Sequence, residues 1–161
     1  MSAPDPDLPM LRYTVATLAY RAGKAVRGAP ESFGDFHTGQ GGRTPVQILS
    51  HMGDLFDWAL TMADGEAVWK DAAPLSWDEE VAWFFAALER FDARLQAGRP
   101  LANPATKVFA GPVADALTHT GQIAMLRRMA GAKIRGESYF KAEIVTGRVG
   151  FEQAPPRRES D

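Results

Sequence analysis

The side chains of this chain that could do chemistry are few, and the strongest of them form one pattern. Of its three histidines, His51 and His119 fall within stretches of helical periodicity, and Asp115 precedes His119 by four residues. His51 comes three residues after Ile48 and four before Leu55, so its imidazole shares the apolar stripe of its helix. Asp115, His119, Gln122 and Leu126 line up along one face of a later helix. Side chains four apart on a helix have Cβ atoms about 6 Å apart and can converge on one ion. A carboxylate and an imidazole at that spacing, facing an imidazole from another helix, make a site of two histidines and one carboxylate. Such a site keeps open coordination positions and suits Zn, Ni or non-haem Fe. A hydrogen-bonded core histidine, and an aspartate placed to meet a helix dipole, account for the same residues without an ion. Against that, burying three polar groups together is costly unless they satisfy one another or a metal.

The other candidates are weaker. Gly39-Gln40-Gly41-Gly42-Arg43 is glycine-rich and leads into a helix, where an anion could dock, but it lacks the Gly-Lys-Ser/Thr of a phosphate-binding loop. It reads as a flexible crossover, with His37 facing solvent. No Gly-x-Ser-x-Gly elbow is present. Trp83 and Phe85 fall beside a core stripe and widen the core or a dimer face. Gly121, beside His119, suggests a close backbone approach or, equally well, a helix contact.

Four helices are expected to carry these residues. The first runs from about Leu8 to Val26, with Leu11, Val15, Leu18, Ala22 and Ala25 inward. The second opens at Thr44-Pro45 and closes at Asp64-Gly65. The third starts at Ser76, with Glu79 completing a capping box, and stops at Gly98 before Pro100. The fourth spans Gly111-Pro112 to Gly131, with Arg127 and Arg128 in its last turns. Rods of about 27 to 35 Å, at about 1.5 Å per residue, with one apolar stripe each pack as a four-helix bundle. The fold class is therefore all-α, a four-helix bundle. Connections of ten or more residues, above all Gly28 to Arg43, read as long crossover loops. Ser138 to Glu152 reads as a C-terminal extended strap or short hairpin, and residues 1–7 and 153–161 as disordered tails of a single domain over 1–161.

The chain's 161 residues suit one domain, 45% of them hydrophobic and 24% charged. A net charge of −2 with dispersed Lys and Arg argues against nucleic acid. With no cysteine, disulfides, thiolate metal sites and a cysteine nucleophile are excluded. No stretch suits a membrane span or a signal peptide, so a cytoplasmic protein is expected.

Two stretches, Arg43-Thr44-Pro45-Val46-Gln47-Ile48-Leu49-Ser50-His51 and Asp115-Ala116-Leu117-Thr118-His119-Thr120-Gly121-Gln122, resemble signatures of the DinB-like superfamily. The ending from Tyr139-Phe140 to Gly147-Arg148-Val149-Gly150 is similar too. The resemblance implies a four-helix bundle, often a homodimer, with one divalent ion (Ni, Zn or Fe-type) at one end. Relatives hold it with three histidines; here Asp115 stands at the first position of the later pair, which leaves His51, Asp115 and His119 as the ligand set. Some relatives are thiol S-transferases acting on a small-molecule substrate with a low-molecular-weight thiol. The alternatives are a non-catalytic, stress-related helical module with a vestigial or structural metal site, and a metal-dependent hydrolase.

Overall fold

A computed structural model describes residues 3–161. Four helical rods make an all-α bundle: α1 (Leu8–Val26), α2 (Pro45–Asp64), α3 (Trp77–Gln96), and a last rod of α4 (Ala105–Val108), a π-helical turn (Phe109–Val113) and α5 (Ala114–Met129). The first three match their expected bounds because each has an unambiguous start and stop. Thr44 and Ser76 each accept the N–H of the residue three on, and Gln47 and Glu79 return the bond, closing two capping boxes. Gly98 and Gly131 take up the left-handed backbone that ends their helices.

The last rod differs from expectation at its start. Gly111-Pro112 lies inside it, and the rod begins at Ala105. Proline in a regular α-helix loses a hydrogen bond and meets the carbonyl four residues back. The wider π-helical turn takes Pro112 without ending the rod.

Ion pairs and contacts give the direction of each rod. Asp57 pairs with Arg90 and Asp64 with Arg94, so α2 and α3 run parallel. Arg12 pairs with Asp92, while Phe33 just beyond α1 packs edge-on to Trp77 at the start of α3, so these two are antiparallel. Asp5 accepts the N–H of Ala105 and Arg127 donates to the carbonyls of Ala25 and Arg27, so α1 and α5 are parallel. The order round the bundle is α1–α3–α2–α5, running up, down, down, up. Parallel neighbours joined in sequence need a connection as long as the rod. Residues 65–76 supply it. About a dozen extended residues span about 40 Å, against about 30 Å for a 20-residue helix. Along the way Val68 donates to Thr61 Oγ1 and Ala72 to Asp54 Oδ2. The 28–43 connection instead stays at one end, where Phe33 and Gly34 of a 3-10 turn are buried.

The core is continuous, with Phe56, Phe84, Phe91, Leu18, Leu49 and Met52 fully enclosed. Phe85 is buried and Trp83 lies across Gly53, where a Cβ would come within 2.6 Å of the indole; glycine there lets α2 and α3 approach. The strap covers the α1–α3 seam through Val149 and Phe151, the latter edge-on to Phe85. The expected disorder of the C-terminal tail does not hold. Glu159 and Ser160 pair antiparallel with Glu137 and Gly136, and Lys24 holds Glu159 at 2.8 Å. Of the N-terminal tail, residues 1 and 2 lie outside the described residues; Asp5 is anchored at Ala105. No helix among the described residues is long and apolar enough to cross a membrane.

Candidate metal centre

Antiparallel packing of α2 on α5 brings the three sequence-nominated residues together. His51 sits two turns into α2, on a face set by the capping box at Thr44. Asp115 and His119 lie one turn apart at the start of α5, just after the π-helical turn. His51 Nε2 is 3.5 Å from Asp115 Oδ2, and His119 Nε2 is 3.4 Å from Asp115 Oδ1. The two imidazole rings cross edge to face, 4.9 Å between centroids. One donor atom from each residue lies within 4.8 Å of the other two, so the group could hold a metal ion.

The donor set fits such an ion. Ligands about 2.0 to 2.1 Å from a tetrahedral ion stand about 3.4 Å apart, which is close to the spacing from each imidazole to a different oxygen of the carboxylate, within a group that spans up to 4.8 Å. Both contacts are longer than the usual range of about 2.7 to 3.2 Å for an N–H···O hydrogen bond. Burial, then the nearby positive charge of Arg43 and the second imidazole, push the His51 pKa below its ordinary value of 6.5, against the opposing pull of Asp115. The ring is thus neutral at neutral pH, with a lone pair to give. His119 Nδ1 lies 2.8 Å from Gln122 Oε1. With the amide oxygen accepting, Nδ1 carries the proton and Nε2 is left as the free donor atom facing Asp115. The side chains of His51 and His119 are mostly buried, and the Asp115 carboxylate is 47% exposed, so the centre opens on one side.

The helix-dipole account of Asp115 loses its footing here, because the rod starts ten residues earlier, at Ala105. Gly121 also departs from expectation: a Cβ there meets nothing within 4 Å, so the residue borders open space rather than a close backbone. His37 is exposed and outside the cluster. The glycine run before α2 has no free helix start to offer an anion, since Thr44 already takes the N–H of Gln47.

Sequence reasoning missed three participants. Trp69, on the 65–76 crossover, packs 5.4 Å from the His51 ring and edge-on to Trp58. Nothing periodic marks a loop residue, so no signal pointed to it. Asp54, one turn after His51, lines a 220 Å³ pocket with Asp71 and His51; its three-residue spacing from His51 could have been noticed. Burial, partly offset by the N–H of Ala72, raises its pKa, and Asp71 adds to the rise. Arg43 borders both that pocket and a larger one of about 660 Å³ against His119.

Compared with protein-family models, curated proteins and solved structures, the chain has no match.

Proposed function

We propose that this protein is a divalent-metal-binding bundle in which His51, Asp115 and His119 hold one ion of the Ni, Zn or Fe type. We further propose that it joins a low-molecular-weight thiol to a small electrophile, as a metal-dependent thiol S-transferase of the DinB-like kind. One observation carries the reading: three ligand atoms converge within 4.8 Å, with no lysine or arginine paired to the carboxylate among the described residues. The resemblance of residues 43–51 and 115–122 to DinB-like signatures lies on the same two helices and points the same way.

A bound divalent ion would supply Lewis-acid chemistry, lowering the pKa of a thiol or water in its open positions. The chain's own residues set the conditions for it. His51 offers a neutral ring, Gln122 orients His119, and Asp115 contributes the one negative charge. Trp69 packs against the His51 ring and Trp58 against Trp69, and the pockets flanking the centre leave room for two small reactants. The chain has no cysteine, so the thiol comes from outside it, which suits a cytoplasmic protein. A homodimer is the expected assembly.

The test is metal per chain in protein purified without a His tag or chelator, alongside thiol consumption with a chlorinated nitroarene. The reading requires close to one ion per chain in wild type, its loss in His119→Ala, and thiol-dependent turnover that follows metal content. A loaded protein with no turnover across a range of thiols would leave a non-catalytic module with a structural ion.

A further inference from the structure

The pockets on either side of the centre differ in charge. The smaller is walled by the carboxylates of Asp54 and Asp71 beside His51, with Arg43 at its border. The larger has no carboxylate in its lining: Ile48, Met125 and Leu126 form an apolar wall, Gly121 leaves it open, and His119 closes the end at the centre. The single formal charge on its wall is Arg43, which makes no hydrogen bond or ion pair among the described residues. Arg43 is not free to wander at its root. It directly precedes Thr44, a buried cap whose side chain and backbone are both engaged by Gln47.

From this arrangement we infer that the larger pocket takes a small carboxylate with an apolar body, its charge held by the Arg43 guanidinium and its reacting end turned toward His119. This rests on the reading of the centre given above and names its substrate class. A planar guanidinium matches a carboxylate with two parallel hydrogen bonds. A phosphate group would want further donors, and the nearby N–H groups of Thr44 and Gln47 are already used in the capping box. On the side of the smaller pocket the same guanidinium stands beside two carboxylates, so an anion is favoured less there than in the larger pocket.

The experiment is calorimetric titration with 4-phenylbutyrate and its neutral amide as probes, on zinc-loaded and chelator-treated protein, with metal content measured first. Wild type should bind the acid about tenfold more tightly than the amide, in both preparations, because the guanidinium and not the ion supplies the preference. Arg43→Gln should erase the preference while leaving metal content unchanged, and Arg43→Lys should keep part of it. Gly121→Leu should weaken both probes alike, by fivefold or more. Equal affinity for acid and amide, a preference that survives Arg43→Gln, or no binding of either probe overturns the inference. A protein that holds no metal yet shows the Arg43-dependent preference would sink the metal reading and leave the carboxylate pocket standing.

Discussion

Two of the polar clusters set into the apolar bundle are built on opposite principles. Under the strap, the Lys24 ammonium lies 2.7 Å from Glu137 and 2.8 Å from Glu159, and the Glu137 side chain is fully enclosed. Burial pulls the Lys24 pKa down, but the two carboxylates outweigh it and hold the group above its ordinary value of 10.5. At the other cluster, two imidazoles flank one half-open carboxylate, the contacts are 3.4 to 3.5 Å, and no cation joins them. Arg135, 3.7 Å from Glu159, brings the cations of the first cluster level with its carboxylates, although Glu137 Oε2 is left without a hydrogen-bond partner. The second has lone pairs to spare. Charge completeness, rather than the number of polar groups, separates a staple from a site.

That contrast can be broken most forcefully at the staple. Lys24→Met removes the cation and leaves Glu137 buried and unpaired, which should cost about 3 to 5 kcal/mol by urea unfolding, with metal content unchanged. A cost below about 1 kcal/mol would mean that the strap is not held there.

Metal loading tests the other cluster. Excess zinc or nickel, a hundredfold above Kd, should stabilise chelator-treated protein by about 2.7 kcal/mol at pH 7.5, read as a rise in Tm. The rise should vanish in His119→Ala and shrink near pH 5, where protons compete for the imidazoles. An unchanged Tm in wild type would place both clusters in the same structural class.

Loss of the cap that orients His51 has a middling effect. Thr44→Ala should cost about 1 kcal/mol of stability and weaken metal binding through the altered start of α2. If only stability falls, the cap supports the bundle but not the site.

Acid should act in the metal-free protein through His51. Its folded pKa lies below 6.5, so the unfolded chain takes up more protons, and stability should fall as pH drops from about 6.5 through the lowered folded value. In His51→Gln that slope should flatten, as followed by unfolding midpoints at successive pH values.

The smallest stability change is expected at Asp115. A half-exposed carboxylate with no cationic partner can be replaced by alanine within about 0.5 kcal/mol in the metal-free protein, while bound metal is lost. Asp115→His should retain the metal. Equal metal in wild type and Asp115→Ala would remove Asp115 from the ligand set.

Much of the bundle was legible because its signals are local. The capping residues Thr44 and Ser76 and the stripe from Trp77 to Leu95 each act within a few turns, and they placed the starts of α2 and α3 to the residue. Helix faces turned His51, Asp115 and His119 inward and the resemblance grouped them as one ligand set, while their convergence depends on the packing of α2 on α5. What failed depended on tertiary context. A proline usually starts a helix, so Pro112 hid the turns before it; only the widened turn, invisible in composition, lets the rod begin at Ala105. The tail after Pro155 has no periodicity, and its order comes from Lys24, more than a hundred residues away. The length of the 65–76 crossover follows from parallel packing of α2 and α3, which no single segment encodes. Arg43 was read as part of a loose glycine run, and its place between two pockets emerges only once α2 meets α5.

The crossover's tryptophan gives the molecule an optical reporter. Trp69 lies against His51 and Trp58, whereas Trp77 is buried on Phe33 and Trp83 sits under Arg90 on the α3 side. Two of the four indoles therefore form a pair that reaches the centre through Trp69. A protonated imidazole or a paramagnetic ion quenches a neighbouring indole, so light from the Trp58–Trp69 pair dims when the centre changes state. Trp69→Phe would leave a molecule whose fluorescence is far less responsive to that event.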